Sequence, residues 1–213
     1  MKKEKYVISI LLTSFIFLIG LLLGSSISSS KLEDVQRRLQ LDFLDTQSLE
    51  LELIIAGDNE SVCNYIQYRL PEIVKRKTEL GRKFDITELD EGQREILYKQ
   101  YIISLGRYWL FSNIQEKQCG IKNPTVLFFF DHKETSREQG KVLDYLVFRS
   151  NEALGILAFS TQANESLINL ISKKYNITET PAIVIDNKKF EGFQSTEKVS
   201  GTLCEIYPTL AFC

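Results

Sequence analysis

Residues 6–24 read YVISILLTSFIFLIGLLLG, a run without a single charged side chain. A helix needs about 20 apolar residues to cross the hydrocarbon core of a bilayer, so this run is expected to span a membrane once. Lys2, Lys3 and Lys5 crowd its N-terminal side, whereas the neutral run 25–30 follows it. Lysine bias keeps the basic flank in the cytoplasm. The C-terminal bulk is therefore expected outside the cytoplasm, on an uncleaved signal-anchor. A cleaved signal peptide is the competing reading, since Gly24, Ser25 and Ser26 are small enough for a cleavage site. The apolar run exceeds the roughly 7–15 residues of a signal peptide's apolar core, which favours the anchor.

The remainder has the balance of a globular chain: over all 213 residues 44% are hydrophobic and 25% charged, with a net charge of −2. That charge offers no positive field for a polyanion, and nucleic acid is not expected as a partner. Cys63, Cys119, Cys204 and Cys213 all follow the apolar run, and no Cys-x-x-Cys occurs. Outside the cytoplasm an even set of spaced cysteines points to disulfides rather than to a metal. With His132 as the lone histidine there is no ligand set for structural zinc, and His132 is expected as a solvated surface residue. No cofactor is implied.

Between residues 31 and 117 apolar positions recur at helical spacing: Leu32, Val35, Leu39 and Phe43; Val62, Ile66, Leu70 and Ile73; Leu97, Tyr101, Leu105 and Tyr108. About three helices are expected, with breaks at residues 57–59 and 81–92. Leu49, Leu51 and Leu53 alternate in the manner of a strand, and Pro71 is expected to kink or interrupt the second helix. Trp109 is expected to pack toward the following domain.

From residue 118 onward short apolar runs alternate with amphipathic ones. Residues 125–130, TVLFFF, read as a strand buried on both faces. A polar turn over 131–136 leads to a helix carrying Val142, Leu143, Leu146 and Val147, then a strand over 154–159 and a helix through Leu167, Ile168, Leu170 and Ile171. Residues 180–190 read as a strand, an Asp186-Asn187 turn and a return strand. A last helix begins near Ser195 and Thr196, either of which can cap it. The expected fold class is α/β, ordered βαβαββα, and the expected organisation is 1–30 anchor and linker, 31–117 helical segment, 118–213 α/β domain.

This order, with YNITETPAIVIDNKKFEGF in it, resembles the thioredoxin superfamily. The resemblance implies a cis proline at Pro181 and a redox Cys-x-x-Cys in the turn after the first strand. Here that turn is HKETSREQG, and the two cysteine positions fall on Lys133 and Ser136. More narrowly, the helical prelude, a cysteine before the strand and the REQGKVLDYL helix resemble membrane-anchored thioredoxin-like proteins of archaea, many of which keep the two cysteines.

Thiol–disulfide exchange needs a thiolate to attack and a second thiol to resolve, and neither Lys133 nor Ser136 carries sulfur. Ser136 lacks the GxSxG surroundings of a hydrolytic nucleophile and is expected as the helix N-cap, with Glu138 nearby. The resemblance leaves one capacity intact, the pairing of an extended polypeptide with the backbone beside the cis proline, which here means Glu179, Thr180 and Pro181. The expected function is a non-catalytic adaptor or assembly factor binding extended polypeptide or a membrane-protein partner. The alternative is a thiol–disulfide oxidoreductase using Cys63 and Cys119. Four cysteines allow three connectivities; Cys63 with Cys119 and Cys204 with Cys213 are favoured because each pair joins segments that this fold places together. Asn59, Asn164 and Asn176 head Asn-x-Ser/Thr triplets, glycosylation acceptors on an extracytoplasmic face.

Overall fold

The computed structural model describes residues 11–20, 48, 59–86 and 90–213. Residues 11–20 are helical, and Leu11, Leu12, Phe15, Ile16, Phe17 and Leu18 are exposed. Among the described residues no helix is long and apolar enough to cross a membrane. The rest of the expected span lies outside them, as do the expected helix over Leu32–Phe43 and the alternation at Leu49, Leu51 and Leu53. Asp58–Cys213 forms one compact unit, separate from Met1–Gly57.

That unit opens with a helical hairpin, α1 (Asn59–Ile86) and α2 (Glu91–Cys119). Ile66, Ile73 and Leu80 recur every seventh residue on α1, and all three are buried, the seam expected of two helices packed lengthwise. Leu97, Ile102 and Leu105 supply buried positions on α2. Asp90 caps α2, accepting a hydrogen bond from the Gln93 N–H at 2.8 Å, and Gly120 ends it at φ 68°, where a Cβ would be strained. The interruption expected at Pro71 is not there: α1 runs through it unbroken. The ring sits on the solvent side, as does Gln67, whose carbonyl loses its donor. On this exposed side a carbonyl needs no protein donor, and Ile66 and Ile73 hold the helix from the buried side. The break after α1 is also shorter than expected, because α1 extends to Ile86 and the cap of α2 is already Asp90.

The α/β part follows the expected order: β1 (Thr125–Phe130), α3 (Glu134–Arg149), β2 (Gly155–Ser160), α4 (Ser166–Lys174), β3 (Ala182–Ile185), β4 (Lys188–Glu191) and α5 (Thr196–Ile206). The sheet order is β2-β1-β3-β4, with β1 and β2 parallel and the other pairs antiparallel. β1 is thus central, and Val126 to Phe129 are all buried. Val126 and Phe128 join Leu143, Leu146, Ile183, Val199 and Leu203 in one core. Phe129 faces the opposite side and meets Phe159 at 5.6 Å between ring centres. Asp186 and Asn187 form the β3–β4 turn with φ of 46° and 65°, the left-handed pair that a two-residue hairpin requires.

The hairpin packs on the sheet's second face. Gly106 of α2 lies so close to α4 that an added Cβ would come within 2.5 Å of Leu167 Cδ2. Trp109 meets Tyr175 edge to face at 6.4 Å, so it packs onto the α/β part as expected. Cys63 is bonded to Cys119 and Cys204 to Cys213, with Cα separations of 5.8 and 5.4 Å, which are the partners favoured from the sequence. The first bond joins α1 to the last residue of α2 and so closes the hairpin on itself.

Candidate functional site

β1 ends at Phe130, and the chain turns at Asp131 to start α3 three residues later. Asp131 is the organising residue. Its Oδ1 accepts the Lys133 backbone N–H at 3.0 Å and the Ser136 hydroxyl at 2.7 Å. Its Oδ2 accepts the Thr180 hydroxyl at 2.8 Å and lies 2.9 Å from Lys133 Nζ. The Asp131 N–H in turn donates to Ser136 Oγ at 3.2 Å. One carboxylate thus joins the end of β1, the first turn of α3 and the loop before β3. The Lys133 ammonium, followed by the Ser136 hydroxyl, holds the Asp131 carboxyl well below the usual carboxylate range, since hydrogen bonds and a cation favour the charged form.

Lys133 is exposed and occupies the N-cap position of α3 without a side-chain capping bond. Ser136 corrects an expectation, because it is not the cap. It is the third residue of α3 and is 3% exposed. Asp131 has taken the capping task one step earlier by accepting the Lys133 N–H, which leaves the Ser136 hydroxyl to turn inward and bind the same carboxylate. His132 is exposed.

The Thr180–Pro181 bond is cis. Glu191 on β4 braces the loop before it, accepting N–H bonds from Thr178 at 2.6 Å and Glu179 at 3.1 Å and the Thr178 hydroxyl at 3.0 Å. The Thr178 N–H, with help from the Lys189 ammonium and the Glu179 N–H, brings Glu191 down to about 2. The main chain of Thr180 has no hydrogen-bond partner among the described residues. Beyond it, Gln139 of α3 is fully buried and accepts the Gln194 N–H at 2.7 Å, fixing the loop that presents Phe193, 49% exposed.

Lys133, Ser136 and Thr180 are therefore brought together, with Pro181 next in the chain. The Glu179 N–H, by contrast, is already taken by Glu191. In the sequence Asp131 reads only as a turn residue. Its signal was there, an aspartate between a buried strand and a helix two positions before a residue whose N–H it can accept.

The four cysteines lie elsewhere. All are in disulfides, and Cys119 precedes β1, at the opposite end of a six-residue strand that spans roughly 17 Å. Around that end Lys122 bridges Glu116 and Asp186 at 3.2 and 3.3 Å, and Trp109 Nε1–H donates to the Tyr175 hydroxyl at 3.3 Å.

No family model matches the sequence, and no curated protein matches it. Among solved structures the chain is similar to one described as a malarial protein, at 17% identity and a TM-score of 0.32, covering 39% of this chain and 94% of that one. It is also similar to the oxidised thioredoxin from Plasmodium falciparum, at 9% identity and a TM-score of 0.31, covering 38% of this chain and 79% of that one.

Proposed function

We propose that this chain is a membrane-anchored, thioredoxin-like protein, exposed outside the cytoplasm, that holds an extended polypeptide without catalysing disulfide exchange. The observation that carries the reading is the main chain of Thr180, unpaired beside a cis proline and next to an exposed first turn of α3. An extended chain laid there gains main-chain hydrogen bonds as an added strand would. Phe193 and His132 offer exposed rings on the two neighbouring loops. The exchange chemistry lacks its sulfur at Lys133 and Ser136, and the other thiols are tied up in two disulfides. A redox pair at Cys63 and Cys119 would act at the far end of β1, away from the unpaired main chain.

Membrane attachment rests on the uncharged run 6–24 and the lysines before it, together with the exposed apolar side chains of residues 11–20. A reporter fused after Cys213 is expected to read as extracytoplasmic, and a cytoplasmic readout overturns the orientation.

Site-specific photocrosslinking tests the binding reading. The full chain in detergent, carrying a photoreactive residue at Lys133 or at Phe193, is expected to label a reduced, alkylated unfolded polypeptide. The same probe at Lys122, on the opposite end of β1, is expected not to. Equal labelling from all three positions, or none, defeats the proposal.

A further inference from the structure

An open groove of about 570 Å³ runs beside α3 on the outer part of the sheet. Phe130, Ile156 and Ala158 form its apolar wall, and Arg137, Gly140 and Asp144 line its helical side. Phe148 lies one turn beyond Asp144 on the same row of α3 and is 77% exposed. The sheet edge next to the groove is β2, GILAFS, which carries no charge, whereas the other edge, β4, carries Lys188, Lys189 and Glu191. Charged residues blunt a strand edge against pairing, and β2 lacks that protection.

The α3 row is complementary to its own reverse. When two copies of α3 are placed antiparallel about a two-fold axis between Gly140 and Lys141, Arg137 of each faces Asp144 of the other. Lys133 then faces Phe148, and the projecting ring meets the groove end bounded by Phe130 and His132. Asp144 is exposed and makes no ion pair among the described residues, while Arg137 holds only the exposed Glu134 one turn back. At the centre Gly140 leaves room: a Cβ there would meet only Phe128 Cε1, at 3.9 Å. A two-fold contact requires such self-complementarity, because one patch must serve both sides.

We propose that the α3 row and the groove beside β2 form an isologous interface between two copies of this chain, with Phe148 of each seated in the other's groove. The interface shares Lys133 and His132 with the proposed polypeptide site, so it is tested without added polypeptide, and its failure leaves the reading at Thr180 standing. The test is the mass of the full chain in detergent, measured by light scattering or sedimentation over a dilution series. The unaltered chain is expected to dimerise. Arg137→Asp and Asp144→Arg, each of which sets like charges opposite one another, are expected to weaken the dimer about tenfold or more, and the double exchange is expected to restore most of it. Gly140→Leu fills the groove from within and improves helix propensity, so it is expected to give a monomer that unfolds no earlier than the parent. A monomeric parent overturns the proposal. So does a dimer indifferent to the single exchanges, which would place self-association in another part such as residues 11–20, and so does a double exchange that fails to rescue.

Discussion

At the C-terminal end of β1 a single carboxylate, Asp131, gathers Lys133, Ser136 and Thr180, whereas near the N-terminal end the chain is held by the Cys63–Cys119 bond, the Trp109–Tyr175 contact and the Lys122 bridge. One end depends on ionisation and hydroxyl hydrogen bonds around a partly open surface. The other depends on a covalent link and on rings packed between helices. The difference teaches where function can sit. Segments that bind and release partners are drawn from the less firmly held parts of a fold, and the unpaired Thr180 main chain lies at the end held by charge.

The largest expected effect breaks the firm end. Replacing Cys63 and Cys119 together by Ala opens a loop of 56 residues, and loop-closure entropy puts the loss at about 4 kcal/mol. The matching change at Cys204 and Cys213, separated by 9 residues, is expected to cost about 2.5 kcal/mol. Denaturant midpoints of the two double variants check the order, and the reverse order would show that the hairpin is held mainly by its buried seam.

The acid response comes next and falls on the other end. Asp131 and Glu191 both titrate below their ordinary range in the folded chain, so the unfolded chain binds more protons as pH drops. The Glu191 contribution is fully present above pH 4.5 and is lost as pH falls toward about 2, while that of Asp131 is fully present above 3.8 and is lost lower still, so stability rises with pH across both windows. Hydrogen exchange at low pH is expected to quicken first at Thr178 and Glu179, whose amides Glu191 holds, with the amides of α2 following later. Simultaneous loosening of both ends would erase the distinction.

Ser136→Ala removes a buried hydroxyl that both donates to and accepts from Asp131, and a loss of about 1 kcal/mol is expected. Introducing cysteines at Lys133 and Ser136 sharpens the same point chemically. If these positions correspond to a redox turn, the variant is expected to oxidise or reduce dithiols faster than the parent. Failure of a correctly folded variant to cycle would separate this turn from a redox site. The smallest effect is expected at Lys122→Met, where the bridge to Glu116 and Asp186 is about half exposed and contributes only a few tenths of a kcal/mol. Its midpoint shift is expected to shrink further in high salt.

Much of the fold was legible because it is written in local periodicity. The TVLFFF run marks a strand buried on both faces, the helical spacing of Val62, Ile66, Leu70 and Ile73 marks a helix, and Asp186-Asn187 marks the hairpin turn. Misreadings arose where a local rule met a tertiary one. Pro71 is a helix breaker by itself, but it and Gln67, whose carbonyl it leaves without a donor, are exposed while Ile66 and Ile73 on the opposite face are buried. Ser136 has the chemistry of a cap, but Asp131 reached the helix end first.

By itself the sequence determined the uncharged run at 6–24, the order of strands and helices, and the absence of sulfur at positions 133 and 136, since each follows from residue type at short range. Tertiary structure alone decided that Asp131 joins three elements, that Ser136 is buried, and that β2 is left as an uncharged edge beside an open groove. Asp131 and Thr180 are 49 residues apart in the chain, and no periodicity of 2 or 3.6 residues reaches that far. Only the pairing of β1 with β3, which sets the start of one strand against the end of the other, brings the carboxylate within reach of the hydroxyl.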